Sequence, residues 1–236
     1  IEVDWCIKSV EGSHFSYGRP EDGNLWLHLF EPLPFPGNRR CLSRRINWYV
    51  DNSITWKHAY HLYHGDPSWL VRYNRAFSEY IRLRSHISRR VKAFYDEQMA
   101  GRHCIGFHIR NALHRSEMPG NVMPGIEDFV DKANAIIHAG NSKPVVFLAT
   151  DVVEAVEIFS SRVQAEVIVQ PGVERESRAS GRQLHHSHSR PSTKLAEDVL
   201  IDCLLLAKCD VFVHITSNLA TAVGYMNPNL SMIYLE

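Results

Sequence analysis

The sequence predicts an α/β protein built on a parallel sheet with helices on both faces. Three observations carry that prediction. The run Cys104 to Arg110, CIGFHIR, alternates side chains with the period of a strand. From residue 103 to 235, apolar runs of strand length alternate with amphipathic stretches of helical length. The first hundred residues have a different texture, aromatic and proline-rich, and read as a smaller α/β region. The division expected is therefore 1–100 and 101–236.

Within residues 1 to about 65, IEVDW and LWLHLF read as short strands and EPLPFPGN as a breaker-rich connection. The chain starts directly on strand-like IEVDW, from which we expect it to be part of a longer product whose N-terminal region is incomplete here. From about Pro67 to Met99, Leu70, Tyr73, Phe77, Tyr80 and Ile81, then Ile87, Val91 and Tyr95, recur at helical spacing. One long helix is expected, ended by Gly101.

In the strand 103–110, Cys104, Gly106, His108 and Arg110 share one face, and Ile105, Phe107 and Ile109 take the other. Two small residues followed by two large donors describe a strand that opens a pocket at its carboxyl end. The alternative is an edge strand with a solvated polar face. A helix over 126–138 follows, then a strand at 145–149, a helix at 152–161 and a strand at 165–169. After a long polar loop, 171–192, come a helix at 194–208, a strand at 211–215, a helix at 218–226 and a last strand at 231–235.

With 236 residues the chain can bury a sizeable core. Its 26 Lys+Arg balance 26 Asp+Glu, which argues against a dedicated nucleic-acid binder. Arginines nevertheless cluster. Arg82, Arg84, Arg89 and Arg90 read as solvated helix faces, whereas Arg175, Arg178, Arg182 and Arg190 lie in the loop, where they can meet an anion. The five cysteines are an odd number without Cys-x-x-Cys spacing, so neither a disulfide scaffold nor a zinc ribbon is expected. They read as small core residues, and unpaired thiols lean toward a cytoplasmic location. No apolar run reaches the roughly 18 residues of a membrane helix.

Ligands of parallel sheets bind beyond the carboxyl ends of the strands. There the sequence places His108 and Arg110, then His114, Arg115 and Glu117 in the next loop, Thr150 and Asp151, and His214, Thr216 and Ser217. Ser217 begins a helix, as a plain N-cap or as a phosphate receiver assisted by the free amides and the dipole. Arg110 cannot lose its charge and its fork matches phosphate oxygens. Asp202 lies in apolar VLIDCLLLA; it either shares a solvent stripe with Asp198 or meets a specific donor pair, such as the ring N–H and amino group of guanine. Glu117 and His114 are either bases toward an acceptor hydroxyl or ordinary surface residues. His185, His186 and His188 lack metal-ligand spacing, and the chain has no Asp-x-Asp pair and no GxxxxGK[ST] loop, so no metal site or P-loop is expected. The long loop reads as a mobile lid or binding segment.

FHIRNALHRSE, MPGIEDF, VVFLATD and LAEDVLIDCLLLAKCDVFVHITSNLA, in that order, resemble the alpha-1,6-fucosyltransferases of the rhizobial nodulation and animal core type, and more loosely the protein O-fucosyltransferases. The resemblance covers about residues 103 to 235. It implies a GT-B architecture, with GDP-fucose as donor substrate in a C-terminal Rossmann-like domain. It also implies inverting transfer to a glycan or lipo-oligosaccharide acceptor, with no metal or other cofactor. Carried onto this chain, it implies Arg110 on the GDP phosphates, His108 near the nucleotide, Asp202 on guanine, and Ser217 with Asn218 at the diphosphate. Asp151 joins the same sugar-nucleotide site. Among the catalytic candidates, Arg110 stabilises the leaving group, while Glu117 comes first for the acceptor hydroxyl, ahead of His114 and Asp151. Two departures stand out: Asn111, Ala112 and Leu113 replace charged residues, and the opening strand, glycine loop and helix of the family have no counterpart. A catalytically inactive nucleotide- or glycan-binding relative is therefore the alternative expectation.

Overall fold

Why the second half of the chain forms a sheet follows from its alternating apolar runs, and the structure, a computed structural model, shows where each run lies. It describes residues 23–33, 68–111, 122–140, 143–180 and 193–235. Helices α1 (Leu25–Leu29), α2 (Ser68–Tyr80) and α3 (Ser85–Phe94), with a π turn at Tyr95–Met99, precede the sheet. Strand β1 (Cys104–Ile109), α4 (Ile126–Ala139), β2 (Val145–Thr150), α5 (Val153–Arg162) and β3 (Glu166–Ile168) follow. After a short 3₁₀ turn at Arg178–Ser180 come α6 (Thr193–Leu206), β4 (Val211–His214), α7 (Asn218–Met226) and β5 (Ser231–Tyr234). IEVDW, the loop carrying His114, Arg115 and Glu117, and the histidines 185, 186 and 188 lie outside the described residues.

The five strands are parallel in the order β3-β2-β1-β4-β5. β1 is thus central, and all six of its residues are buried, so the edge-strand alternative is excluded. Parallel neighbours require crossovers, and helices on both faces supply the cover that fully apolar strands need. On one face Ile105, Phe107 and Ile109 pack with Phe129, Val130 and Ala133 of α4 and Phe159 of α5. The Phe107 and Phe159 rings meet edge to face at 5.4 Å. On the other face Cys104, Phe147, Ala149 and Phe212 join Leu200, Ile201 and Leu205 of α6, Val223 of α7, Leu25 and Leu29 of α1, and Ile87 and Val91 of α3.

Gly106 sets how closely α6 approaches this second face. A Cβ there would lie 2.8 Å from Leu206 Cδ2 and 3.0 Å from Cys209 Sγ, closer than real side chains pack. The described cysteines, Cys104, Cys203 and Cys209, are free and buried, and burial raises each thiol pKa. They behave as small apolar residues with little thiolate character.

Two expectations are corrected. LWLHLF is not a strand: Leu25–Leu29 is helical, with Asn24 Oδ1 accepting the Trp26 N–H at 3.0 Å. A five-residue run satisfies both periods, but Leu25 and Leu29, one helical turn apart, both enter the core, and the asparagine cap selects the helix. The long helix also divides. Phe30 and Leu83 form an antiparallel bridge, with Glu31 N–H donating to Arg82 C=O at 2.8 Å and Arg84 N–H to Leu29 C=O at 3.0 Å. The backbone between α2 and α3 is spent on these bonds, and the break falls in the gap between Ile81 and Ile87. Gly101 does end the helical stretch, at a φ of 74° that suits glycine. Residues of α2 in turn close α7, where Asn74 Nδ2 donates to the Tyr225 and Met226 carbonyls at 2.8 and 3.1 Å.

Candidate functional site

The strand register decides which polar side chains share the carboxyl edge. β1 pairs with β2 through Ile109 and Thr150, so the next residues, Arg110 and Asp151, leave the sheet side by side. Asp151 Oδ1 accepts the Asn111 N–H at 3.0 Å. Burial pushes the Asp151 pKa up, while the Arg110 charge and backbone N–H bonds oppose that rise. Arg110 is half-buried and electrostatically coupled to Asp151.

On the other side of β1, the pairing of Gly106 with Phe212 continues upward and sets His108 beside His214 on one face. His108 Nδ1 lies 3.3 Å from Ser217 Oγ, which also accepts the Ala220 N–H at 3.0 Å. Ser217 is therefore an N-cap, as expected from residue type alone. That role leaves the Asn218 and Leu219 amides without a helical acceptor, because the α7 ladder begins with Thr221 N–H on Ser217 C=O. The cap and an anion site are compatible, and both use the positive end of α7.

His214 is buried against Phe212, ring centroids 4.9 Å apart, with Nδ1 3.2 Å from the Ile215 carbonyl. Burial lowers its pKa to about 4, so it is neutral at physiological pH. A folded-state value below the unfolded one, about 6.5, means that stability is full above pH 6.5 and is lost as pH falls toward 4. The cost reaches about 3 kcal/mol by pH 4. Urea unfolding of wild type and His214→Asn should therefore show the difference between them shifting in favour of the variant below pH 6. An unchanged difference from pH 7 to pH 4.5 would contradict this environment.

Asp202 is only 7% exposed, and among the described residues its Oδ1 has no hydrogen-bond partner. Burial raises its pKa to about 8, opposed by attraction to Arg175 and aided by the smaller repulsion from Asp198. Asp198 is buried too, held by Arg90 Nη2 at 2.8 Å and by Lys194. The solvent stripe is thus overturned: α6 turns both carboxylates inward, and α3 supplies the arginine. Leu206 faces Gly106. Four residues back along α6 and two forward along β1 are both a rise of about 6 Å, which brings Asp202 to the level of His108.

Arg175, expected from the sequence as a loop arginine that can meet an anion, acts electrostatically on Asp202, and Gln170, whose carbonyl its guanidinium contacts, was not singled out by the sequence. Gln170 is 3% exposed, and neither Oε1 nor Nε2 has a partner among the described residues. Arg175 donates to the Val173 and Gln170 carbonyls, while its Nε is likewise unpartnered and burial lowers its pKa. Buried polar atoms are nearly always bonded, so Arg175, linked to the Gln170 carbonyl and to the Asp202 charge, marks a place that can receive a polar ligand. Gln170 follows the β3 strand end, the position at which the other strands already carried polar candidates.

The structure therefore brings His108 to Ser217 and Asn218, and Arg110 to Asp151, along one edge, and sets Asp202 on the helix above the same face. Glu117 and His114 lie outside the described residues. No described helix is long and apolar enough to cross a membrane.

No family model matches the chain, and no curated protein matches its sequence. Among solved structures it is similar to NodZ alpha-1,6-fucosyltransferase soaked with GDP-fucose, with 20% identity and a TM-score of 0.54 over 95% of this chain and 81% of that one. Fucosyltransferase NodZ from Bradyrhizobium gives 20% identity and 0.54 over 93% and 82%. POFUT1 in complex with GDP-fucose matches at 13% identity and 0.46 over 66% of this chain and 47% of that one. The chain spans about half of that structure, and the same share, 47%, of NodZ co-crystallised with GDP. The two longer matches establish the fold, a GT-B type with a parallel sheet flanked by helices.

Proposed function

From a chain that has the fold of GT-B fucosyltransferase structures, we propose a fucosyltransferase that takes GDP-fucose as donor at the carboxyl edge of its sheet. The observation that supports this most is the buried Asp202 carboxyl, whose Oδ1 has no hydrogen-bond partner among the described residues, above an edge that also carries Arg110 and the α7 N-terminus. A nucleoside diphosphate needs those three things: a reader for the base and two sources of positive potential for the phosphates.

In this reading Asp202, once ionised, accepts the ring N–H and amino donors of guanine, and Gln170 pairs with the remaining polar edge of the base. Arg110 and the Asn218 and Leu219 amides bind the diphosphate, with Ser217 and His108 fixing the turn. Asp151 orients Arg110. As the bond from sugar C1 to phosphate breaks, negative charge grows on GDP and positive charge on the sugar. Arg110 and the α7 terminus then bind the transition state more strongly than the ground state. The acceptor hydroxyl attacks from the opposite side, inverting C1, and gives its proton to a base. Asp151 is committed to Arg110 and the Asn111 amide, so Glu117 stands first as that base, with His114 second. No metal or other cofactor enters the proposed step. The acceptor is a glycan or lipo-oligosaccharide, bound on the side of residues 1–100, with 101–236 holding the donor.

Calorimetric titration tests the reading. GDP is expected to bind with micromolar affinity and UDP at least about tenfold more weakly, since UDP leaves the Asp202 site unpaired. Equal affinity for GDP and UDP, or no heat with GDP, would overturn the assignment. GDP binding without fucose transfer or GDP-fucose hydrolysis would instead favour an inactive binding relative, a reading prompted by Asn111, Ala112 and Leu113.

A further inference from the structure

We propose a zinc site made by His28, His86 and Glu197, independent of the nucleotide site. His28 is in the last turn of α1, His86 in the first turn of α3 and Glu197 near the start of α6. One ligand atom from each lies within 4.8 Å of the others. Glu197 Oε1 is 2.7 Å from His28 Nε2 and 3.4 Å from His86 Nε2. Zinc bound at about 2.0–2.2 Å by nitrogen and oxygen ligands needs neighbouring ligand atoms roughly 3.3 Å apart. The His86 spacing already has that length, and the His28 spacing reaches it by opening about half an ångström when a metal replaces a shared proton.

Three further features suit a metal better than a simple ion pair. His86 Nε2 is a buried atom within ion-pair distance of Glu197 yet makes no hydrogen bond, so its nitrogen is held toward the cluster unused. Arg90 Nη1 binds the second oxygen, Glu197 Oε2, at 2.6 Å. That contact orients the carboxylate and presents Oε1, the outer support that ligating carboxylates usually have. The two histidine side chains are 36% and 39% exposed and that of Glu197 15%, which gives an entry path and room for water as a fourth ligand.

A metal there would fasten two N-terminal helices to α6. The site is built from three elements remote in sequence, and Asp202 lies about 7–8 Å of helix rise further along α6. Binding is therefore expected to stabilise the fold without contributing to the nucleotide site.

The test uses untagged protein stripped with a chelator, titrated with Zn²⁺ by calorimetry and with Co²⁺ by visible absorption. One equivalent should bind, with the intense bands of tetrahedral cobalt and a rise in Tm that chelator reverses. His28→Asn and His86→Asn should each lose more affinity than the roughly 10–100-fold typical of outer-sphere partners. Circular dichroism confirms that each variant is folded, and His185→Asn/His186→Asn/His188→Asn should leave binding unchanged. The proposal is overturned by no zinc binding, by binding that survives in both single variants, or by loss in the triple variant. GDP titration of the same samples reports on the nucleotide assignment separately.

Discussion

Arg110→Ala should weaken GDP binding by about 10- to 100-fold, as expected for removing charge-assisted hydrogen bonds to phosphate. Fucosyl transfer should fall further, by about 10²- to 10³-fold beyond the binding loss, because the charge on GDP grows as the glycosidic phosphate bond breaks. Calorimetry with GDP and GDP-fucose turnover at saturating donor separate the two effects. Arg110→Lys keeps the charge but not the fork, and should recover part of the affinity and little of the rate. Because Arg110 also offsets the burial of Asp151, alanine here should lower Tm modestly. GDP affinity within twofold of wild type would remove Arg110 from the diphosphate site.

Asp202→Asn should stabilise the protein and damage the site at once. The folded-state pKa is about 8, above the ordinary aspartate value of 3.8. The folded chain therefore holds a proton that the unfolded chain has released, so stability is greatest below pH 4 and falls as pH rises from 4 to 8. Asparagine is neutral throughout and escapes that loss. Its advantage over wild type should be near zero at pH 4 and grow toward pH 8, with an upper bound on the order of 5 kcal/mol. Urea unfolding at several pH values measures it.

Guanine recognition runs in the opposite direction. The carboxylate form accepts both donors, so GDP binding expels the proton, and wild-type affinity should rise by up to about tenfold per unit between pH 6 and 8. In Asp202→Asn that dependence should disappear, with affinity down by about 100-fold at pH 8 as an amide N–H meets a guanine donor. Titrations in buffers of different ionisation enthalpy should show proton release in wild type alone. A variant that is less stable at pH 8 and binds GDP normally would refute this account of Asp202.

The sheet was legible because its signals are local. CIGFHIR, VVFLATD and CDVFVHITSN each hold a run whose period and length mark a strand, and the helices between them carry apolar stripes of the right length. Gly101, and Ser217 ahead of α7, marked boundaries by their own chemistry. The N-terminal elements were less legible. Five residues between Leu25 and Leu29 fit both periods, and the break between Tyr80 and Ser85 depends on backbone bonds to a segment some fifty residues earlier.

In the site, Arg110, Asp151 and Ser217 were visible as polar residues ending apolar runs. Gln170 was not, because β3 is short and an amide carries no charge pattern to single it out. Asp202 and Asp198 were ambiguous, since a carboxylate within an apolar helix reads equally as a solvent stripe or a buried acceptor. Only Arg90, brought over on α3, and Arg175, in the loop after β3, decide between the two.

By itself, then, the sequence determined a parallel α/β sheet and a row of polar groups at its carboxyl edge, because periodicity and strand ends are properties of neighbouring residues. The tertiary structure alone decided that β1 is central, that Asp202 is buried with its Oδ1 unpartnered among the described residues, and that His28, His86 and Glu197 meet. Strand order, desolvation and the meeting of distant side chains arise only when remote segments pack, and no local pattern records them.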